Sequence, residues 1–122
     1  MYVQTNGGLG NAYLTQLKKE AAQNCAGVDV LLRLTRLTPL ERILFAKRKL
    51  KLIPQLIRLQ ERVKAQLKAD PNNLVHLRNW KQVRSVVNKW FGDGYVLSSE
   101  KEELARARCE MSRARVDAEL WQ

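Results

Sequence analysis

Histidine and cysteine are scarce in this chain of 122 residues, which holds one histidine, His76, and two cysteines, Cys25 and Cys109. A structural zinc site needs four well-spaced ligands, so that class is excluded, and no metal site is expected. The cysteines lie far apart in helix-type sequence, outside any CxxC pair. They read as buried free thiols of a reducing cytoplasm, with a mutual disulfide as the alternative. No apolar run reaches the ~18 residues that a membrane-crossing helix requires. Residues Met1 to Gly10 lack the basic start and apolar centre of a secretory signal. A cytoplasmic or nucleoid-associated location is therefore expected.

Catalytic chemistry is equally thin. His76 has Asp70 six residues upstream across a proline turn and no nucleophile at hand. It reads as an ordinary helical histidine rather than a general base. Gly7-Gly8-Leu9-Gly10 lacks the strand, the spacing and the lysine of a phosphate-cradling loop. No enzyme, cofactor or small-molecule substrate is expected.

Acidic residues are also few, 12 against 22 Lys and Arg, for a net charge of +10. The surplus is concentrated. From Leu31 to Lys68 there are eleven basic residues and two acids, Glu41 and Glu61, a net +9. With 45% hydrophobic residues the chain has enough apolar content for a core, and its length suits one domain.

Along the chain, Met1 to Gly10 reads as a flexible, glycine-rich lead-in, and residues 11–122 as one helical domain. Asn11 can cap a helix whose Leu14, Leu17, Ala21, Cys25 and Val28 share a face. Ala26-Gly27 weakens that helix. Val28 to Leu37 alternates in part like a strand, but no second strand is available to pair with it, so it is read as helix. Thr38-Pro39-Leu40-Glu41 is a capping box with proline at the first helical position, and the helix it opens runs to about Ala69. Pro54 lies inside and should kink it, or split it in two. Asn72 or Asn73 opens the next helix, which Gly92-Asp93-Gly94 ends, and Ser99 with Glu102 opens the last. Four to five helices with short connections predict an all-α fold, a small antiparallel bundle around a long, proline-kinked central helix.

At about 100° per residue, Phe45, Leu50, Leu52, Ile53, Leu56, Ile57, Leu59 and Val63 cover roughly half of the long helix, and Arg48, Lys51, Gln55, Arg58 and Arg62 line the remaining arc. In the last helix Leu104, Ala107, Met111, Ala114, Ala118 and Trp121 form a three-four seam whose alanines permit close approach of a neighbour or a second subunit. Glu102–Arg106, Arg113–Asp117 and Arg115–Glu119 are spaced to pair on its outside. Residues 92–122 carry five bases and seven acids, so this helix is a poor binder of polyanions. The third helix, by contrast, has Arg78, Lys81, Arg84 and Lys89 and no acid over residues 72–91. Trp80 and Trp90 share its apolar face and read as core, with base stacking as the alternative. Phe91 and Tyr95, beside the glycine turn, are better placed for exposure.

Leu37-Thr38-Pro39-Leu40-Glu41-Arg42 resembles the opening of some helix-turn-helix transcription factors. The likeness ends there, because the helix continues where that motif needs a sharp turn and a short recognition helix.

The pattern as a whole points to a non-enzymatic nucleic-acid-binding protein, an accessory subunit of a nucleoprotein assembly. Arg48, Lys51, Arg58 and Arg62 would contact the phosphates of RNA or DNA, with Lys47 and Lys49 adding field and Arg78, Lys81 and Lys89 extending the track. A helical adaptor or self-associating subunit that uses the alanine seam is the second reading. A third is anionic-membrane binding through the basic amphipathic stretch Lys47 to Gln60.

Overall fold

The computed structural model describes residues 3–28 and 36–120. It contains four helices: α1 (Val3–Cys25), α2 (Pro39–Ala69), α3 (Leu74–Phe91) and α4 (Glu100–Leu120). The described residues are otherwise turns and connections, and the all-helical content fits a helical bundle. Two compact units are distinguished, one comprising Met1–Lys47 and Ala105–Gln122, the other Arg48–Leu104.

Several helix termini lie where local chemistry dictates. At α2, the Thr38 backbone N–H donates to Glu41 Oε1 at 3.0 Å, and the Glu41 N–H donates to Thr38 Oγ1 at 3.2 Å. This reciprocal box satisfies donors that the first helical turn would leave open. At α3, the Oδ1 of Asn73 accepts from the N–H groups of Val75 and His76, which settles the cap on Asn73 rather than Asn72. At α4, Ser99 Oγ accepts from the Glu102 N–H at 3.2 Å. Gly27 ends α1 at φ +70°, a left-handed conformation that a side chain would strain. Gly92 closes α3 at φ 113°, its N–H donating to the Asn88 carbonyl at 3.0 Å.

Two features depart from the expectations above. First, α1 extends back to Val3, through Gly7, Gly8 and Gly10, where a flexible lead-in was expected. Glycine weakens a helix by about 1 kcal/mol per residue relative to alanine but does not forbid it, and elongation from an existing helix needs no new nucleus. Second, Cys25 and Cys109 are joined in a disulfide, with Cα atoms 4.8 Å apart, and are not free thiols. Sequence separation says nothing about this distance; the pairing arises because the end of α1 lies against the middle of α4. The reading of Val28 to Leu37 as helix falls largely on residues 29–35, outside the described residues, while Arg36 and Leu37 lie in a turn and a bend.

The first unit is held by this bond and by polar contacts around it. Asn24 Nδ2 donates to Ser112 Oγ at 2.7 Å, Arg115 meets Glu20 at 3.6 Å, and Arg42 meets Asp117 at 2.8 Å. Leu17, Ala46, Ala107, Cys109 and Ala114 are buried there. The pairs Arg113–Asp117 and Arg115–Glu119, expected along α4, are not made. Asp117 and Arg115 pair instead with α2 and α1, whose charges the tertiary fold brings closer.

In the second unit Ile53, Leu56, Val63, Val83, Val87, Phe91 and Leu97 are buried. The buried positions of α2 as a whole are Ala46, Lys49, Ile53, Leu56, Gln60 and Val63, an unbroken alternation of three and four. This seam is narrower than the half-circumference arc expected, and two of its members are polar. Leu59 is 36% exposed. The helix is continuous through Pro54, so the alternative of a break is not taken.

Two expectations follow from these contacts. Cys25→Ser removes a cross-link between residues 84 apart in sequence. It should lower unfolding free energy by about 4 kcal/mol in denaturant titration, as should reductant applied to the unaltered chain. At the α2 cap, donation by the Thr38 backbone N–H, and then by its side chain, holds Glu41 below its ordinary value of 4.5. A carboxylate lowered in the folded state stabilises it above the unfolded value and ceases to do so as pH falls through the folded one. Acid titration below pH ~4.5 should therefore fray the start of α2, and Glu41→Gln should blunt that transition.

Candidate nucleic-acid interface

The outer side of α2 carries Arg48, Lys51, Gln55, Arg58 and Arg62, and all five are exposed. Spacings of three and four keep them on one stripe, about 21 Å from first to last at the helical rise. Among the described residues none of the four cations makes an ion pair or hydrogen bond. Lys47 is exposed as well and lies in the first unit. On α3, Arg78, Lys81, Ser85 and Lys89 form a second exposed stripe, again at three-four spacing. The Lys89 ammonium rests 5.6 Å from the Trp90 ring centroid.

Lys49 departs from this pattern. It is 4% exposed, with its Nζ 5.1 Å above the Phe91 ring, and so it leaves the solvent-facing track assigned to it. At 100° per residue Lys49 projects beside Ile53 and Leu56 rather than beside Arg48 and Lys51, and the ring quadrupole compensates part of the cost of enclosing the ammonium. Arg84, the fourth cation of α3, is also drawn inward. Its guanidinium donates to the Tyr95 carbonyl at 2.7 Å and to Asn88 Oδ1 at 3.4 Å.

The aromatic residues serve the same interior. Phe91 is buried and stacks on Tyr95 with centroids 5.4 Å apart, so the expected exposure of Phe91 is not found. The Tyr95 hydroxyl donates to Glu103 Oε1 at 2.7 Å, while the Ser98 N–H and hydroxyl donate to Glu103 Oε2 at 2.7 and 3.1 Å. Glu103 is 1% exposed, and these donors replace the water it has lost. Trp80 and Trp90 are half-buried.

Between α2 and α3 runs a groove of about 620 Å³. Leu56, Leu59, Val63, Val83 and Val86 supply its apolar lining, and Arg62, Gln66, Asn79 and Gln82 its polar lining. No carboxylate lines it. The stripe of α2 adjoins one side, sharing Arg62, and the stripe of α3 adjoins the other beyond Gln82. Periodicity does not mark this groove, because its floor is ordinary core sequence; its local sign is the set of uncharged amides, Gln66, Asn79 and Gln82, near the cations.

Among the described residues no three of His, Cys, Asp and Glu group to hold a metal, and no helix is long and apolar enough to cross a membrane. In the α4 seam Ala107 and Ala114 are buried in the chain's own interior, Leu104, Met111 and Ala118 are half-buried, and Trp121 lies outside the described residues. No protein-family model, curated protein or solved structure matches the chain.

The different burial of neighbouring lysines has a measurable consequence. Lys49→Ala should cost about 2 kcal/mol in urea unfolding, through the lost ring contact and the lost packing of its stem. Lys51→Ala, at an exposed site, should stay within about 0.5 kcal/mol of the unaltered chain.

Proposed function

We propose that the α2–α3 face binds the sugar-phosphate backbone of a nucleic acid, RNA or single-stranded DNA, and that the chain is a non-enzymatic subunit of a nucleoprotein assembly. One observation carries this reading: Arg48, Lys51, Arg58 and Arg62 are exposed on one stripe with no carboxylate partner among the described residues. Arg78, Lys81 and Lys89 extend the field on α3, a helix without acids. Such an array attracts phosphates by displacing their condensed counterions, a sequence-independent contribution to affinity. The sequence carries no motif that presents a helix end to a major groove, which favours single strands over duplex.

An antiparallel bundle with α2 bent at Pro54 belongs to this reading. It is supported by the short connection 70–73 between α2 and α3, both of which line the groove. The adaptor reading through the α4 seam draws less support, because Ala107 and Ala114 are spent on internal packing.

Simultaneous reversal of Arg48, Lys51, Arg58 and Arg62 to Glu should weaken binding of a labelled single strand more than about a hundredfold in fluorescence anisotropy. Helicity by circular dichroism should be unchanged, since all four side chains are exposed. For the unaltered chain, log affinity against log salt should fall with a slope of roughly −3, near −0.7 for each of four phosphates. A folded variant that binds as before would remove these residues from the mechanism.

A further inference from the structure

We infer that the α2–α3 groove receives an unstacked nucleobase of a single strand whose phosphates lie along the flanking cations. The inference rests on the polyanion reading and adds a base-binding site to it. Three properties of the groove support it. Its volume, about 620 Å³, falls within the few-hundred to ~1,000 Å³ range of sites for small planar ligands. A packed partner helix would need roughly 800 Å² of complementary surface, far more than this short apolar floor offers.

The second property is chemical. The side-chain amides of Gln66, Asn79 and Gln82 make no hydrogen bond among the described residues, so three amides stand at the groove with donors and acceptors uncommitted. A carboxamide presents a donor and an acceptor side by side, which matches the edge of a base. Leu59 and Val86, 36% and 39% exposed, offer apolar surface against which a base can lie flat. The third property is charge. The lining contains a guanidinium and no carboxylate, and the basic stripes of α2 and α3 flank it. A strand following the α2 stripe would bring its phosphates beside Arg62 and a base over the amides. A duplex cannot do this without first unpairing.

The test uses the full chain and two labelled single strands of equal length, one of mixed sequence and one wholly abasic, so that the phosphates are the same and only the bases differ. Anisotropy titration at one salt concentration should show the base-bearing strand bound about tenfold more tightly, the scale of one bidentate amide–base pair. Asn79→Ala combined with Gln82→Ala should bring the two affinities together, with helicity unchanged. Equal affinity of the unaltered chain for both strands would overturn the base site while leaving backbone binding intact. Failure to bind either strand would overturn the polyanion reading itself. Concentration-dependent dimerisation abolished by the same double substitution would instead assign the groove to a second copy of the chain and overturn the inference.

Discussion

A net charge of +10 on 122 residues repels itself, and the placement of the few acids decides which surface stays cationic. Glu103 is enclosed and accepts from Tyr95 and Ser98. Asp117 is taken by Arg42, Glu20 faces Arg115, and Glu41 is turned back on Thr38. These carboxylates serve caps, connections and helix contacts, and none lies on the stripes of α2 and α3. Glu61, the remaining acid of α2, is exposed three residues from Arg58 and pairs with neither Arg58 nor Lys64. The outer side of these helices is thus left with a repulsion that a bound polyanion would relieve. Fold and proposed function meet at that point: the acids that stabilise the chain are unavailable to neutralise its basic face.

Local signals were legible where a few adjacent residues decide the outcome. The Thr38–Glu41 box, the Asn73 cap, the Gly92 stop and the Ser99 cap all follow from short-range hydrogen bonding. The exposed stripe of Arg48, Lys51, Arg58 and Arg62 was legible too, because helical periodicity alone places it. What periodicity could not supply was the exact centre of the buried seam. Lys49 and Gln60 are polar, so a hydrophobic count discards both, yet they fill every-third-or-fourth positions between Ala46 and Val63. Lys49 meets the Phe91 ring, on another helix, which local periodicity does not foresee. Gln60 keeps its Oε1 buried without a hydrogen bond, a cost of about 1–3 kcal/mol that apolar neighbours must offset.

The same limit explains the charge pairs of α4. Spacing by four places Arg113 near Asp117 and Arg115 near Glu119, and in an isolated helix each pair contributes a few tenths of a kcal/mol. Partners brought by α1 and α2 compete on better terms, because Arg42 and Asp117 are only partly exposed, at 27% and 40%, and less screened. Long-range proximity therefore outweighs local spacing. The disulfide was illegible for a related reason, since helix contact rather than sequence sets the distance between Cys25 and Cys109.

That disulfide bears on where the chain works but not on the binding proposed for its basic face. Free thiols had supported a reducing cytoplasm, and a cross-linked pair withdraws that support, because such bonds persist in oxidising surroundings. Reduction would leave Cys109 as a small, fully buried apolar side chain, with Asn24–Ser112 and Glu20–Arg115 still linking α1 to α4. Arg48, Lys51, Arg58, Arg62, Arg78, Lys81 and Lys89 all belong to the unit Arg48–Leu104, and both cysteines to the other. Attraction between these cations and phosphate depends on exposure and salt, and neither term contains the redox state of sulfur. The compartment and the proposed binding chemistry are therefore separate questions, raised by different units of one chain.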